Sequence, residues 1–129
     1  MNEPSLWPKN LDDVRLPVDM PREVLDQAAK ELEALTKGMV VGEILTGGAD
    51  DKLELSFYLR ATQVDYRYLL FKVRHTIDGF PVEFIDASGT KSKRLEDRKA
   101  FEGALRQFLG TQQTLTVVSQ LRNLAQDVG

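Results

Sequence analysis

Apolar and polar residues alternate with a period of two in three successive runs between residues 52 and 86. Successive side chains of a β-strand point to opposite sides, so this period indicates three strands that each have one apolar face. The apolar sets of the three runs are Leu53, Leu55, Phe57 and Leu59; Leu69, Phe71, Val73 and His75; and Phe80, Val82 and Phe84. The pattern predicts an antiparallel meander, with these sets on one buried face.

The turns fix the expected register of this meander. Asp78-Gly79 is a strong signal for a two-residue hairpin, because both positions must tolerate positive φ. That turn would pair Ile77 with Phe80, His75 with Val82, and Val73 with Phe84. The first hairpin keeps the same parity if Phe57 lies opposite Phe71, and this register places Arg60 opposite Tyr68.

The flanking segments are predicted to be helices and one further strand. Pro21 begins a helix that ends at Lys37, with Gly38 just beyond it. Residues 39–46 are predicted to form a strand in which Gly42 indicates a bulge or a close backbone approach. Residues 86–94 are predicted to form a loop. Two helices are predicted to follow. The first runs from about Leu95 to Leu109, and the second is capped by Thr111. The apolar stripe of the second helix would consist of Leu115, Val118, Leu121, Leu124 or Ala125, and Val128.

These elements predict an α+β fold with two layers. A four-stranded antiparallel meander would carry one N-terminal and two C-terminal helices, in the order α-β-β-β-β-α-α. Residues 21–129 would form a single domain, and residues 1–20 an N-terminal arm that packs on the domain or on a partner. Trp7 in this arm is expected to plug one end of the core, the alternative being an exposed arm that orders on binding.

Composition and charge narrow the function classes. The 129 residues contain 17 Lys and Arg, 20 Asp and Glu and no Cys, for a net charge of -3. An acidic chain argues against a general nucleic-acid binder, whose affinity depends on neutralising phosphates. Without Cys there is no disulfide or thiolate chemistry. No run is apolar enough for a membrane span, and no signal peptide is recognisable, so a cytoplasmic location is expected.

Catalytic and metal-binding signals are weak throughout the sequence. His75 is the only histidine, and the register places it on the apolar face, so a packing role with one hydrogen bond is expected rather than a role as base or metal ligand. The acid pairs Asp12-Asp13 and Asp50-Asp51 have no further ligands at short spacing and are interpreted as solvated turn residues. We therefore predict no enzyme activity, no cofactor and no metal.

A basic segment precedes the first C-terminal helix. Lys91, Lys93, Arg94 and Arg98 lie close together in the sequence and could hold an anion at the helix N-terminus. Basic residues at the start of a helix that follows an antiparallel sheet resemble double-stranded-RNA-binding domains, which implies RNA binding through residues 91–99 as one alternative. The expected strand count, the extra helix and the acidic net charge all depart from that pattern. A solvated loop is the other interpretation.

The second face of the meander has the most distinctive composition. Its predicted binding residues are Tyr58, Arg60, Tyr66, Tyr68, Lys72 and Arg74. Tyr and Arg are enriched at interaction hot spots, so the leading prediction is a small, acidic, non-enzymatic protein-binding module that docks a protein partner or a second copy. Bacterial immunity-type proteins and secretion chaperones are analogues in size and charge. An acidic patch would favour the immunity interpretation, whereas a pocket lined by Tyr66, Tyr68 and Arg74 would favour a small ligand.

Overall fold

Three helices and a five-stranded sheet make up the part of the chain that the computed structural model describes, residues 6–7, 9–10 and 20–128. The strands follow one another across the sheet in sequence order, and all neighbours are antiparallel. This confirms the α+β class, with one helix before the sheet and two after it. The elements are α1 (Pro21–Leu35), β1 (Val40–Ala49), β2 (Lys52–Ala61), β3 (Tyr66–His75), β4 (Val82–Asp86), β5 (Ser92–Leu95), α2 (Arg98–Leu109) and α3 (Gln112–Val128).

The fifth strand corrects the prediction of a loop over residues 86–94. β5 pairs with β4, so that Leu95 lies opposite Val82 and is buried. Its other three residues are exposed, so its sequence has almost no apolar signal. The side chain of Asp97 caps α2 by accepting a hydrogen bond from the Ala100 backbone N–H at 2.8 Å. The helix therefore begins at Arg98 and not at about Leu95 as predicted.

A β-bulge in β3 corrects the register of the first hairpin. Phe57 lies opposite Phe71 as predicted, but Tyr58 then lies opposite Leu69, which leaves Leu70 as the extra residue. Leu70 is buried in the core cluster. A bulge shifts the residues beyond it by one position and so reverses their faces. The predicted pairing of Arg60 with Tyr68 is therefore wrong.

The second hairpin keeps its predicted register. His75 pairs with Val82 and Val73 pairs with Phe84. The ladder ends at the His75–Val82 pair, because β3 ends at His75 and β4 begins at Val82. Ile77 and Phe80 therefore lie in the connection, so the predicted Ile77–Phe80 pair and the two-residue loop are wrong.

All three helices pack on the apolar face of the sheet. Phe71 lies at the centre, fully buried, with the rings of Phe57 and Phe84 stacked on it at 5.0 and 4.9 Å. The ring of Phe108 from α2 meets Phe71 edge-on at 5.7 Å. α1 crosses β1 closely at Gly42, which confirms the close approach and excludes the bulge, since β1 and β2 pair without a register shift.

Of two predictions about apolar residues outside the sheet, one is confirmed in part and one is wrong. In the predicted stripe of α3, Leu121 and Ala125 are buried and Val118 packs against the core, whereas Leu115 and Leu124 are 49% and 42% exposed. Trp7 is 70% exposed and does not plug the core. Most of the predicted arm, including residues 11–19, lies outside the described residues.

Candidate binding face of the sheet

The sheet surface opposite the helices brings charged and aromatic side chains together. We call it the open face. Strand alternation and the pairing register place on it, among others, Glu43, Leu45, Lys52, Glu54, Ser56, Tyr58, Arg60, Arg67, Leu69, Lys72, Arg74, Glu83, Ile85 and Arg94. α1 and α3 contact β1 or β2 on the other side, against the apolar core.

Four of the six predicted binding residues lie on the open face, and two do not. Tyr58, Arg60, Lys72 and Arg74 are placed as predicted. Tyr66 lies opposite the buried Ala61, and Tyr68 lies opposite the buried Leu59 and packs against the core cluster. The bulge causes this reversal, and it brings Arg67 and Leu69 to the open face instead. Tyr66, Tyr68 and Arg74 therefore do not line one pocket.

The centre of the open face is an aromatic and aliphatic pair with a cation above it. Tyr58 of β2 lies directly opposite Leu69 of β3. The Arg67 guanidinium carbon lies 5.5 Å from the centroid of the Tyr58 ring. This cation–π contact holds a charged and an aromatic side chain together in the middle of the face.

A carboxylate between two cations lies on one side of this centre. Glu54 accepts a hydrogen bond from Arg74 Nε at 2.8 Å, and its other oxygen lies 3.2 Å from Lys72 Nζ. The hydrogen bond from Arg74 is the main reason that the pKa of Glu54 is lowered, although partial burial opposes the shift. The cluster therefore holds Glu54 ionised at lower pH than an unpaired glutamate.

Replacing Glu54 by Gln is expected to remove a pH-dependent contribution to stability. The folded-state pKa of Glu54 is lowered, so the stabilisation is fully present above the ordinary value of 4.5 and is lost as the pH falls through the folded-state pKa. The pair is partly exposed, which limits the expected difference to about 1 kcal/mol or less. Denaturant unfolding of both proteins between pH 7 and pH 3 would measure it.

The matched control is Glu96→Gln. Glu96 also faces an arginine, Arg94, at 2.8 Å, but its side chain is 70% exposed, so this substitution should change stability little at any pH. A difference between wild type and Glu54→Gln that stayed constant down to pH 3 would contradict the role assigned to the Glu54 cluster.

A second carboxylate lies on the other side of Tyr58. Glu43 of β1 lies 3.2 Å from Arg60 Nε and 4.0 Å from Arg67 Nη1. Among the described residues, Glu43 Oε1 and Arg60 Nε are buried atoms without an aligned hydrogen-bond partner. The 3.2 Å separation gives an ion pair by distance, while the atoms are not oriented as a hydrogen bond requires. These two groups retain unused hydrogen-bonding capacity.

The four predicted anion-binding residues are divided among three places. Lys91 and Lys93 lie at a cavity on the helix side of the sheet. Arg94, the next residue of β5, lies opposite Glu83 on the open face and bonds Glu96 at 2.8 Å. Arg98 bonds Glu102 at 2.7 Å and Glu23 at 3.4 Å. The alternation of side chains along β5 is what separates Lys93 from Arg94.

The single histidine lies where its pattern predicts. His75 is 4% exposed on the core face, and its Nδ1 lies 2.6 Å from the backbone oxygen of Thr76. Within the described ranges, no three His, Asp or Glu side chains are grouped as metal ligands. No helix in those ranges is both long and apolar enough to cross a bilayer.

Comparison with protein-family models, with curated proteins and with solved structures finds no match for this chain.

Proposed function

We propose that this protein is a non-enzymatic binding module that docks a protein partner on its open face. The observation that carries the proposal is the arrangement of the layers. The described helices cover one side of the sheet, while the Tyr58–Leu69 pair and the cation above it lie on the other. Tyr and Arg dominate interaction hot spots, which gather near the centre of an interface.

The charge of the open face favours an acidic partner. Its strand residues include six cations, Lys52, Arg60, Arg67, Lys72, Arg74 and Arg94, against the three carboxylates of Glu43, Glu54 and Glu83. The whole chain has a net charge of -3, so this surface is positive on an acidic protein. Complementary charge accelerates encounter and selects partners. This face does not supply the acidic patch that would favour the immunity-type interpretation.

The open face contains one polar group that is incompletely hydrogen-bonded. Glu43 Oε1 is buried without a hydrogen-bond donor among the described residues. Because the protein's own side chains cover this oxygen, the unmet cost of about 1–3 kcal/mol lies inside the fold and does not favour a partner. Self-association is the less favourable alternative, because two copies meeting face to face would bring like net charges together.

Site-specific photo-cross-linking in cells of the source organism tests this proposal. Ser56 lies on the open face beside Tyr58, so p-benzoylphenylalanine at this position would sit next to a docked partner without removing the hot spot. We expect a discrete adduct of higher mass. The same group at Gln107, an exposed residue of α2, should give no such adduct.

Charge reversal of Arg67 should weaken this association. Arg67→Glu replaces the central cation and opposes an acidic partner, so the purified partner should bind about tenfold more weakly. Arg122→Glu makes the same change on an exposed position of α3 and should leave binding unchanged. Equal yields of adduct from positions 56 and 107, or unaltered binding by Arg67→Glu, would overturn the proposal. Light scattering should give the monomer mass for the free protein.

A further inference from the structure

A cavity of about 470 Å³ lies on the helix side of the sheet, away from the open face. Its walls come from β3, the β4–β5 hairpin and the corner between α2 and α3. Its apolar lining includes Leu70, Phe84, Phe108 and Val117. The volume falls within the range of pockets that enclose small organic molecules, about 300–1,000 Å³.

The floor of the cavity is aromatic and only partly covered. The rings of Phe84 and Phe108 meet edge-on at 5.2 Å, and neither residue is fully buried. Leu70 lies in this lining because it is the extra residue of the β3 bulge. The bulge thus supplies an apolar side chain to the cavity that a regular strand would place on the opposite face.

The rim of the cavity carries two lysines that lack a carboxylate partner within the described residues. Lys93 lies opposite Phe84 in the β4–β5 ladder and so shares its face of the sheet, and Lys91 precedes it at the mouth. Neither lysine forms an ion pair with a described residue. This distinguishes them from Arg94 and Arg98 in the same basic segment.

Asp86 is the carboxylate in the cavity lining, and it already accepts hydrogen bonds from other groups of the β4–β5 hairpin. Its Oδ1 accepts hydrogen bonds from the Ser88 hydroxyl at 3.0 Å and from the Lys91 backbone N–H at 3.2 Å. Burial would raise the pKa of Asp86, but these hydrogen bonds outweigh it and the pKa is lowered. One carboxylate therefore faces two lysines, and the rim has a net positive charge.

The hydroxyl groups at the α3 end of the cavity are also engaged. Thr111 and Thr114 both donate to the backbone oxygen of Phe108, at 2.8 and 3.1 Å. Among the described lining residues the two lysines are the cations able to orient an anionic guest, and the positive end of α3 adds to their field. The cavity thus combines an apolar floor with a cationic rim.

We propose that this cavity binds a small amphipathic carboxylate. The apolar chain or ring of the ligand would lie on Phe84 and Phe108, and its carboxylate would meet Lys91 and Lys93. A charge-assisted contact of this kind, joined to burial of an apolar body, fixes the orientation of a ligand in its pocket. The cavity is separate from the open face, so ligand binding in the cavity does not depend on whether a protein partner docks on the open face.

The test uses octanoate as the probe, followed through backbone amide chemical shifts of the full chain. We expect saturable shifts near Lys93, Thr114 and Val117, with a dissociation constant on the order of 1 mM or below. Octylamine has the same apolar chain with the opposite charge and should bind about tenfold more weakly. Absence of saturable shifts at about 5 mM octanoate, or equal binding of octylamine, would overturn the proposal.

Two variants separate the rim from the floor. Lys93→Gln should weaken octanoate binding about threefold, as expected for one partly exposed ion pair. Lys99→Gln removes the same charge from an exposed α2 residue outside the cavity lining and should have no effect. Val117→Trp should place an indole ring over part of the apolar lining and weaken octanoate binding, with its fold checked by thermal melting. Equal affinities of the two lysine variants would overturn the assignment of Lys93, whether or not Val117→Trp folds.

Discussion

Phe71→Ala is expected to lower the free energy of unfolding by about 3–5 kcal/mol, the range for truncating a large aromatic side chain in a core. Phe71 is fully buried, and its ring contacts those of Phe57, Phe84 and Phe108. These four rings join β2, β3, β4 and α2. Truncation therefore removes buried apolar area, and it also removes the ring contacts that join the sheet to α2. Urea unfolding followed by circular dichroism measures the change.

Ile77→Ala is the control for this substitution. Ile77 follows β3 closely in the chain but is 83% exposed, so its truncation should change the free energy of unfolding by about 0.5 kcal/mol or less. A Phe71→Ala protein with a near wild-type urea midpoint would contradict the central place of this ring. The same result would also contradict the orientation of β3, because it would imply that residue 71 faces solvent.

The strand pairing could be predicted largely from local patterns. Alternation identified the buried face, and the apolar parity of β3 and β4 agreed with the Asp78-Gly79 turn. β5 could not be found in this way, because three of its four residues are exposed and the fourth, Leu95, fits equally well into the following helix. An edge strand of this kind is specified by its hydrogen bonds to β4 rather than by burial. Backbone pairing leaves little trace in the side-chain pattern.

The candidate site was predicted in part, and the bulge explains the difference. Leu69-Leu70-Phe71 is a run of three apolar residues, which strict alternation cannot accommodate on one face. That run was the available signal, because one of its three residues must face the charged side of the sheet. A bulge buries Leu70, places Leu69 on the open face, and transfers Tyr66 and Tyr68 to the helix side. Its position depends on how β2 and β3 twist together, which no short sequence window contains.

The basic segment shows how an unrecognised strand alters a functional hypothesis. As a loop, residues 91–94 could direct their cations toward a common anion. As strand β5, they alternate, so that Lys93 and Arg94 lie on opposite faces. A single predicted anion site therefore becomes two surfaces with different chemistry, the cavity rim and the open face.

Gly42→Val is expected to destabilise the protein by about 3 kcal/mol, the upper end of the usual range for overpacking. A Cβ at this position would lie 2.7 Å from Phe57 Cζ, 3.0 Å from Ala29 Cβ and 3.2 Å from Ala29 Cα. The last contact is with the backbone of α1, which cannot yield by a side-chain rotation. Accommodation requires α1 to move away from β1, and this opens the core between the two layers. Chemical unfolding monitored by circular dichroism gives the loss directly.

Gly47→Val supplies the matched control, because it makes the same substitution in the same strand on the other face. A Cβ at Gly47 would meet nothing within 4 Å. The β-branched side chain suits a strand, so stability should be unchanged or slightly higher. The double variant Gly42→Val/Ala29→Gly should lose less stability than the two single changes added together, since removing the Ala29 Cβ relieves one of the close contacts. Equal unfolding midpoints for Gly42→Val and Gly47→Val would show that α1 does not press on β1 at this point.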